Sequence, residues 1–223
     1  MKLSRRCEFH THTLFSDGEL LPVELIRMAC ISGHEVIAIT DHVDFSNLEF
    51  VLKNQKRIAD SRVSGDWDIK VIRGVELTHI PKNKISKLAK KAKELGAEIV
   101  LAHGETLVEP VEPGTNSASV KCEYVDILAH PGLITAEEAD AAKENNIYLE
   151  ISARRGHSLG NGLVAKTAKE TGAGLLVNTD AHSPGDLINS EMAFNIAVGA
   201  GLSKDDAYGV VTKNPEEFMK RLG

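Results

Sequence analysis

Two histidines separated by a single residue, in Phe9-His10-Thr11-His12-Thr13-Leu14-Phe15-Ser16-Asp17-Gly18, introduce the chemistry of this chain. On an extended backbone, residues two apart leave the same face, so both imidazoles address one point. Asp17 follows where the chain turns back. An imidazole pair with a nearby carboxylate suits a borderline divalent cation. Further along, six more apolar segments end in side chains of the same kind: Asp41-His42, Glu76, His103, His130, Glu150, and Asp180 with His182. A lone buried histidine is ordinarily just a hydrogen-bonded core or surface group. Six of them at segment ends, among carboxylates, are costly to bury unless something pairs with them. The cluster therefore reads as a metal site.

The donor set narrows the metal. Imidazole mixed with carboxylate and without thiolate suits Zn, Mn or Fe rather than a structural cysteine-zinc site, calcium or magnesium. The donors are too many for one ion. Two or three divalent ions sharing a bridging carboxylate fit better, and such sites hydrolyse phosphate esters by clamping the attacking and leaving oxygens.

The elements that must carry these residues alternate along the chain. Strands are expected over Cys7 to His12, Val36 to Thr40, Ile69 to Val75, Glu98 to Ala102, Val125 to Ala129, Ile147 to Leu149 and Gly174 to Thr179. Helices are expected between them: one opened by Pro22 and closed by Gly33, a charged one within Lys53 to Asp68, and an amphipathic one through Ile85, Leu88, Ala89, Ala92 and Leu95. Others start at the capping box Thr135-Ala136-Glu137-Glu138, behind an Asn161 cap, and at Ser190; Ser203 caps another, and Asn214-Pro215 begins a last short one. Glu105 to Lys121, with two prolines and little periodicity, reads as a long loop over one end of the sheet. This βα rhythm points to an α/β fold around a parallel sheet, in which ligands bind beyond the carboxyl ends of the strands. No linker or repeat divides residues 1–223, so one domain is expected.

Composition excludes several classes. The 223 residues carry 32 acidic and 26 basic side chains, a net charge of −6, with 4% aromatics. A dedicated nucleic-acid scaffold needs the opposite charge, and base stacking needs more aromatic surface. Nucleic acid is thus a possible but disfavoured partner, and a small phosphorylated substrate is preferred. Cys7, Cys30 and Cys122 are odd in number and widely spaced, which suits reduced thiols. The stretch from Met1 to Glu8 has charge but no apolar segment behind it, and no run approaches a membrane span. A cytoplasmic protein with no membrane partner is expected. Oligomeric state is open. Gly160-Asn161-Gly162 lacks the spacing of a dinucleotide loop, and no phosphate-loop lysine is present.

For a substrate phosphate, Arg154 and Arg155 follow the sixth strand, and a guanidinium fork matches a phosphate dianion. Against this stands the ordinary occurrence of arginine on surfaces. His157 lies at the same rim. Glu150 is either a ligand or a hydrogen-bond acceptor behind one. His79 and Glu105 are weaker candidates to line the site, and His34 is expected as an imidazolium at the end of the first helix.

His10-Thr11-His12 with Ser16-Asp17-Gly18, Thr40-Asp41-His42, Gly74-Val75-Glu76, His103, Ala129-His130-Pro131 and Thr179-Asp180-Ala181-His182 together resemble the PHP (polymerase and histidinol phosphatase) family, over roughly residues 8 to 184. None of the motifs is missing. The resemblance implies a distorted seven-stranded βα barrel of TIM-like type, a trinuclear centre and phosphoesterase activity through metal-activated hydroxide. It also implies a division of ligands. His10, His12, Glu76 and Asp180 hold one ion. Glu76 bridges to a second, with His103 and His130. Asp17, His42 and His182 hold the third, where some family members have histidine in place of Asp17. Asp41 orients a neighbour, and Asp180 or His182 relays a proton to the leaving alkoxide. Histidinol phosphate or a nucleotide-like monophosphate is the expected substrate. The alternatives are a 3′–5′ exonuclease like the barrel of family X DNA polymerases, which the Asn178-to-Ser183 ending resembles, and a non-catalytic RNA-binding scaffold like the barrel subunit of archaeal ribonuclease P.

Overall fold

The structure is a computed structural model describing residues 3–223. Met1 and Lys2, where the N-terminal stretch discussed above begins, lie outside the described residues. Eight strands are all parallel: β1 (Arg6–Glu8), β2 (His34–Ile39), β3 (His42–Val43), β4 (Lys70–Leu77), β5 (Ile99–His103), β6 (Ile127–Ala129), β7 (Tyr148–Ser152) and β8 (Leu175–Asn178). Their spatial order is β1-β2-β4-β5-β6-β7-β8. β2 pairs with the first half of β4 and β3 with the second, so the two act as one interrupted stave and the barrel has seven. The outer edges meet through a bridge between Thr11 and Ala181, with His12 N donating to Ala181 O at 2.8 Å. The barrel is nearly closed.

The helices are α1 (Pro22–Ile31), α2 (Leu48–Asp60), α3 (Val63–Asp66), α4 (Ile85–Glu94), α5 (Thr115–Ser119), α6 (Ala136–Glu144), α7 (Asn161–Thr171), α8 (Ser190–Gly199) and α9 (Lys204–Leu222). The capping box at Thr135 forms as expected, its hydroxyl accepting from Glu138 N. Such a cap contributes about 1 kcal/mol.

Strand alternation explains how the ligands arrive. Ile99 and Leu101 of β5 lie in the inner core and Val100 and Ala102 in the outer one, so His103 continues the inward series. Ile72, Gly74 and Glu76 do the same on β4. A Cβ on Gly74 would stand 2.6 Å from Ile99 Cγ1 and 2.9 Å from the Thr40 methyl, which is why glycine precedes the ligand there. Phe218 packs edge to face on Phe9 at 4.9 Å and on Tyr148, which opens β7, at 5.3 Å, plugging the barrel beneath the polar cluster.

Several expectations are corrected. The first strand stops at Glu8 rather than running to His12, because side chains take over its ladder. The buried Glu8 carboxylate accepts from the backbone of His10 and Thr179, and Phe9 N donates to the Asn178 side chain. The charged helix begins earlier, at Leu48, since Leu48, Val51, Leu52 and Gln55 form its buried stripe. Asn161 does not cap α7; its amide exchanges two hydrogen bonds with the backbone of Ser152, tying the helix to the end of β7. The long loop contains α5. Pro215 lies inside one continuous α9, where burial of Pro215 and Phe218 and a bond from Asn214 to Leu175 O outweigh the missing backbone donor. His34 packs beneath the end of α1, with Nδ1 at 3.0 Å from Ala29 O. Burial and the nearby Arg6 push it down to about 4, so it is neutral and not an imidazolium.

Candidate metal centre

At the carboxyl ends of the strands, eight of the nine expected ligands are buried or nearly so, and Asp17 is the exposed one. His10 Nε2 lies 3.3 Å from Glu76 Oε2 and 3.5 Å from Asp180 Oδ1. His12 Nε2 is 3.0 Å from Asp180 Oδ1 and 3.6 Å from Glu76 Oε2. His130 Nε2 is 3.3 Å from Glu76 Oε1. Asp17 Oδ1 stands 3.6 Å from His42 Nε2 and 3.2 Å from His182 Nε2. These are the separations of neighbouring donors on one ion, about 2.8–3.6 Å for bonds of about 2.0–2.2 Å at octahedral to tetrahedral angles. The groups His10–His12–Glu76, Glu76–His103–His130 and His12–Asp17–His42–His182 each have donor atoms within 4.8 Å of one another. Asp180 joins His130 and His157 in a further group.

A second layer fixes these side chains. Glu150 Oε2 takes His10 Nδ1 at 2.7 Å, accepts from Asn178 Nδ2, and through Oε1 accepts from His130 N. It sits behind the cluster and turns His10 Nε2 inward, as carboxylates do behind metal-bound histidines. Asp41 faces away from the donors and accepts from Thr13 N, Thr13 Oγ1 and Ser16 Oγ, holding the turn that presents Asp17. His42 Nδ1 and His103 Nδ1 face Thr78 Oγ1 and Gly104 O. By strand alternation His130 would point outward after Ala129; a left-handed backbone (φ 27°) turns it back in, and Asp180 is left-handed as well (φ 51°).

Seven buried atoms of this cluster have no hydrogen-bond partner: His10 Nε2, both ring nitrogens of His12, both oxygens of Glu76, His130 Nδ1 and Asp180 Oδ1. Left so, each costs about 1–3 kcal/mol. Lone pairs converging from imidazole and carboxylate are what divalent cations satisfy, so the residues fit the ions their types suggest. Electrostatics agree. Burial alone would depress His10, but Glu150, Glu76 and Asp180 hold it well above the usual histidine range, and the same carboxylates attract a metal cation there. His12, buried beside His42, is pushed down to about 3 and keeps its lone pair. Burial would raise Glu76 and Asp180; instead the surrounding histidines hold both below the ordinary carboxylate range.

Arg154 reaches the cluster: Nη1 donates to Asp180 O at 3.0 Å and lies 2.7 Å from His182 Nδ1, and Nε is 3.5 Å from Asp180 Oδ2. Arg155 is exposed and, among the described residues, has no hydrogen-bond or ion-pair partner. His157 is buried, with Nδ1 on Thr106 Oγ1 at 2.7 Å and Nε2 at 3.7 Å from Asp180 Oδ2. His79 sits at the rim, 5.2 Å ring to ring from His103. Glu105 is turned away and binds the backbone of Gly114 and Asn116. Glu109, which sequence reasoning passed over, lies 2.9 Å from His103 Nε2 and 3.4 Å from His157 Nε2. Nothing in its neighbourhood of prolines and polar residues marks it; only the path of the loop brings it in.

The PHP domain matches residues 8–154, well over half of the chain. The chain belongs to the PHP family. It is 53% identical to an uncharacterized protein of Methanocaldococcus jannaschii, over 97% of this chain and all of that one. It is 27% identical to a probable phosphatase of Thermoanaerobacter, over 95% of this chain and 93% of that protein. Among solved structures, archaeal ribonuclease P with mature tRNA contains a chain that superposes with a TM-score of 0.67 at 17% identity, covering 96% and 89% of the two chains. Histidinol phosphate phosphatase from Lactococcus lactis, complexed with Zn, L-histidinol and phosphate, superposes with a TM-score of 0.59 at 16% identity, covering 98% and 94%. These two show that the PHP barrel is shared. Among the described residues no helix is long and apolar enough to cross a membrane.

Proposed function

We propose that the protein is a metal-dependent phosphoesterase acting on phosphate monoesters of small molecules. One observation carries the reading: seven unpartnered, buried donor atoms converge at the strand ends beside a guanidinium. In this reading His10, His12, Glu76 and Asp180 hold one ion, Glu76, His103 and His130 a second, and Asp17, His42 and His182 a third. Bound there, divalent ions supply electrophilic stabilisation of phosphoryl oxygens and lower the proton affinity of water.

The protein's own part is orientation, charge and proton transfer. Glu150 and Gly104 O fix the tautomers of His10 and His103, so that Nε2 of each faces the cavity. Asp180 takes one edge of Arg154, and the second Nη group is left to donate to a phosphoryl oxygen that gains charge in the transition state. The proton that the attacking water gives up would pass through Asp180 to the leaving alkoxide; its Oδ2 lies 3.5 Å from Arg154 Nε and 3.7 Å from His157 Nε2.

The test is metal analysis of protein purified without chelator, followed by a phosphate-ester panel with added Mn²⁺ or Zn²⁺ and Glu76→Gln in parallel. Monoester turnover in the wild type, with loss of turnover and lower metal content in Glu76→Gln, is the expected result. Cleavage of single-stranded DNA without monoester turnover would replace the reading by a phosphodiesterase. Metal-free protein that binds RNA in a salt-dependent way would replace it by a scaffold.

A further inference from the structure

Residues 105–116 arch over the His103 side of the centre, and the two feet of the arch are tied together. Glu105 Oε1 accepts from Gly114 N and Asn116 N, both at 2.9 Å, and Asn116 Oδ1 accepts from Glu105 N. Asn116 Nδ2 donates to Pro131 O at 2.8 Å, fastening the base to the turn that carries His130. Gly132 in that turn has φ 62°, and a Cβ there would run into Glu105 O. The base is rigid, and the crown carries exposed Leu107 and Val108.

From this crown Glu109 reaches down. Its Oε2 is 2.9 Å from His103 Nε2 and its Oε1 is 3.4 Å from His157 Nε2. A carbonyl can only accept, so His103 Nδ1, 3.1 Å from Gly104 O, carries the ring proton. Nε2 meets a carboxylate oxygen at 2.9 Å, a contact that either a second ring proton or a cation shared by the two groups satisfies. Below lies Glu76, fully buried, with His130 Nε2 3.3 Å from Oε1 and His42 Nδ1 2.8 Å from Oε2. Glu76, His103 and His130 offer donor atoms within 4.8 Å of one another. A separation of 2.9 Å between Glu109 Oε2 and His103 Nε2 is that of adjacent ligands on one ion, given bonds of about 2.0–2.2 Å.

We propose that Glu109 is a further metal ligand, delivered by the arch, that completes the coordination of the ion held by Glu76, His103 and His130. The inference rests on the metal centre proposed above. Three protein ligands leave an ion with the open position that catalytic sites need, whereas a fourth closes it. Glu109 therefore competes with a phosphoryl oxygen for that position. Its placement suits exchange: Glu76 and His103 are buried at strand ends, while the Glu109 side chain is 36% exposed on a loop. His157, braced by Thr106 Oγ1 of the same arch, faces its other oxygen.

The experiment compares wild type, Glu109→Gln and Glu112→Gln by Co²⁺ titration followed by visible absorption, and by competition with inorganic phosphate. Glu112 sits on the same arch but bonds Lys82 N, so it serves as the control. In Glu109→Gln one Co²⁺ equivalent should bind about 10- to 100-fold more weakly. The absorption of that ion should change shape, and phosphate should bind about tenfold more tightly because no carboxylate competes. Glu112→Gln should match wild type in all three. Wild type that loads its ions, beside a Glu109→Gln variant with the same Co²⁺ affinity, spectrum and phosphate affinity, would remove Glu109 from the centre and leave the centre standing. Wild type that binds no ion would overturn both.

Discussion

His10 and Asp17 lie on either side of one turn, yet they belong to two differently built halves of the same centre. The deep half, His10, His12, Glu76, His130 and Asp180, is at most 2% exposed and comes from strand ends or the residues that follow them. Behind it Glu150 and Asn178 pin the geometry. The rim half, Asp17, His42, His182, Arg154 and Glu109, comes from turns and loops apart from His42, which opens the short β3, and its side chains are partly open to solvent. In the deep half charges have no water to turn to, so a cation is the natural counterpart of their lone pairs. In the rim half water can stand in for any partner, so the same residue types are free to exchange ligands. Retention of metal belongs to the first half and handling of substrate to the second.

Removing the ions should expose the difference most strongly. Chelation is expected to lower stability by about 4 kcal/mol or more when the ions had been present at a thousandfold over their dissociation constants. Calorimetry with and without chelator checks this; an unmoved transition would mean that the deep half satisfies itself through its own protons. Next in size is the contrast between Glu150→Gln and Asp17→Asn. Losing the carboxylate behind His10 should weaken metal binding about 10- to 100-fold although it faces away from the cavity. Asp17→Asn should release one ion and spare the others, and equal losses of every ion in both variants would erase the distinction between the halves. Smaller still is the pair Arg154→Ala and Arg155→Ala. The first should reduce kcat/KM for a phosphate ester about tenfold, the worth of one charge-assisted hydrogen bond, with metal content unchanged. The second, without a partner on the protein, should stay within about twofold, the usual range of surface substitutions. Equal effects in steady-state kinetics would put both arginines at the substrate.

The deep half was legible in the sequence because it obeys periodicity. Once Ile99, Leu101 and His103, or Ile72, Gly74 and Glu76, are recognised as alternate residues of a strand, their common direction follows. His130 shows the limit: alternation aims it outward, and a single left-handed residue reverses it. The rim half obeys no period. Glu109 and the binding of Glu105 to its own loop depend on the path of residues 105–116, and no local propensity specifies that path. His34 failed for another reason: its position beside the end of α1 was readable, but the neutralising effect of burial and of Arg6 was not. Pro215 inside α9 is a case of tertiary packing overriding a local breaker.

The aromatic plug at the base of the barrel carries a consequence for how the protein is made. Phe218 belongs to α9, yet it closes over Phe9, directly after the first stave, and Tyr148, which opens the sixth. The bridge between Thr11 and Ala181 likewise joins residues from opposite ends of the chain. His10 and His12 are therefore held in place only once residues as distant as Glu150 and Ala181 have closed on them. During translation the nascent chain carries its carboxylates and imidazoles to the tunnel exit well before it can assemble them. Contacts this distant in sequence slow the search for the native state. Metal capture should accordingly follow closure of the barrel, with α9 acting as its latch.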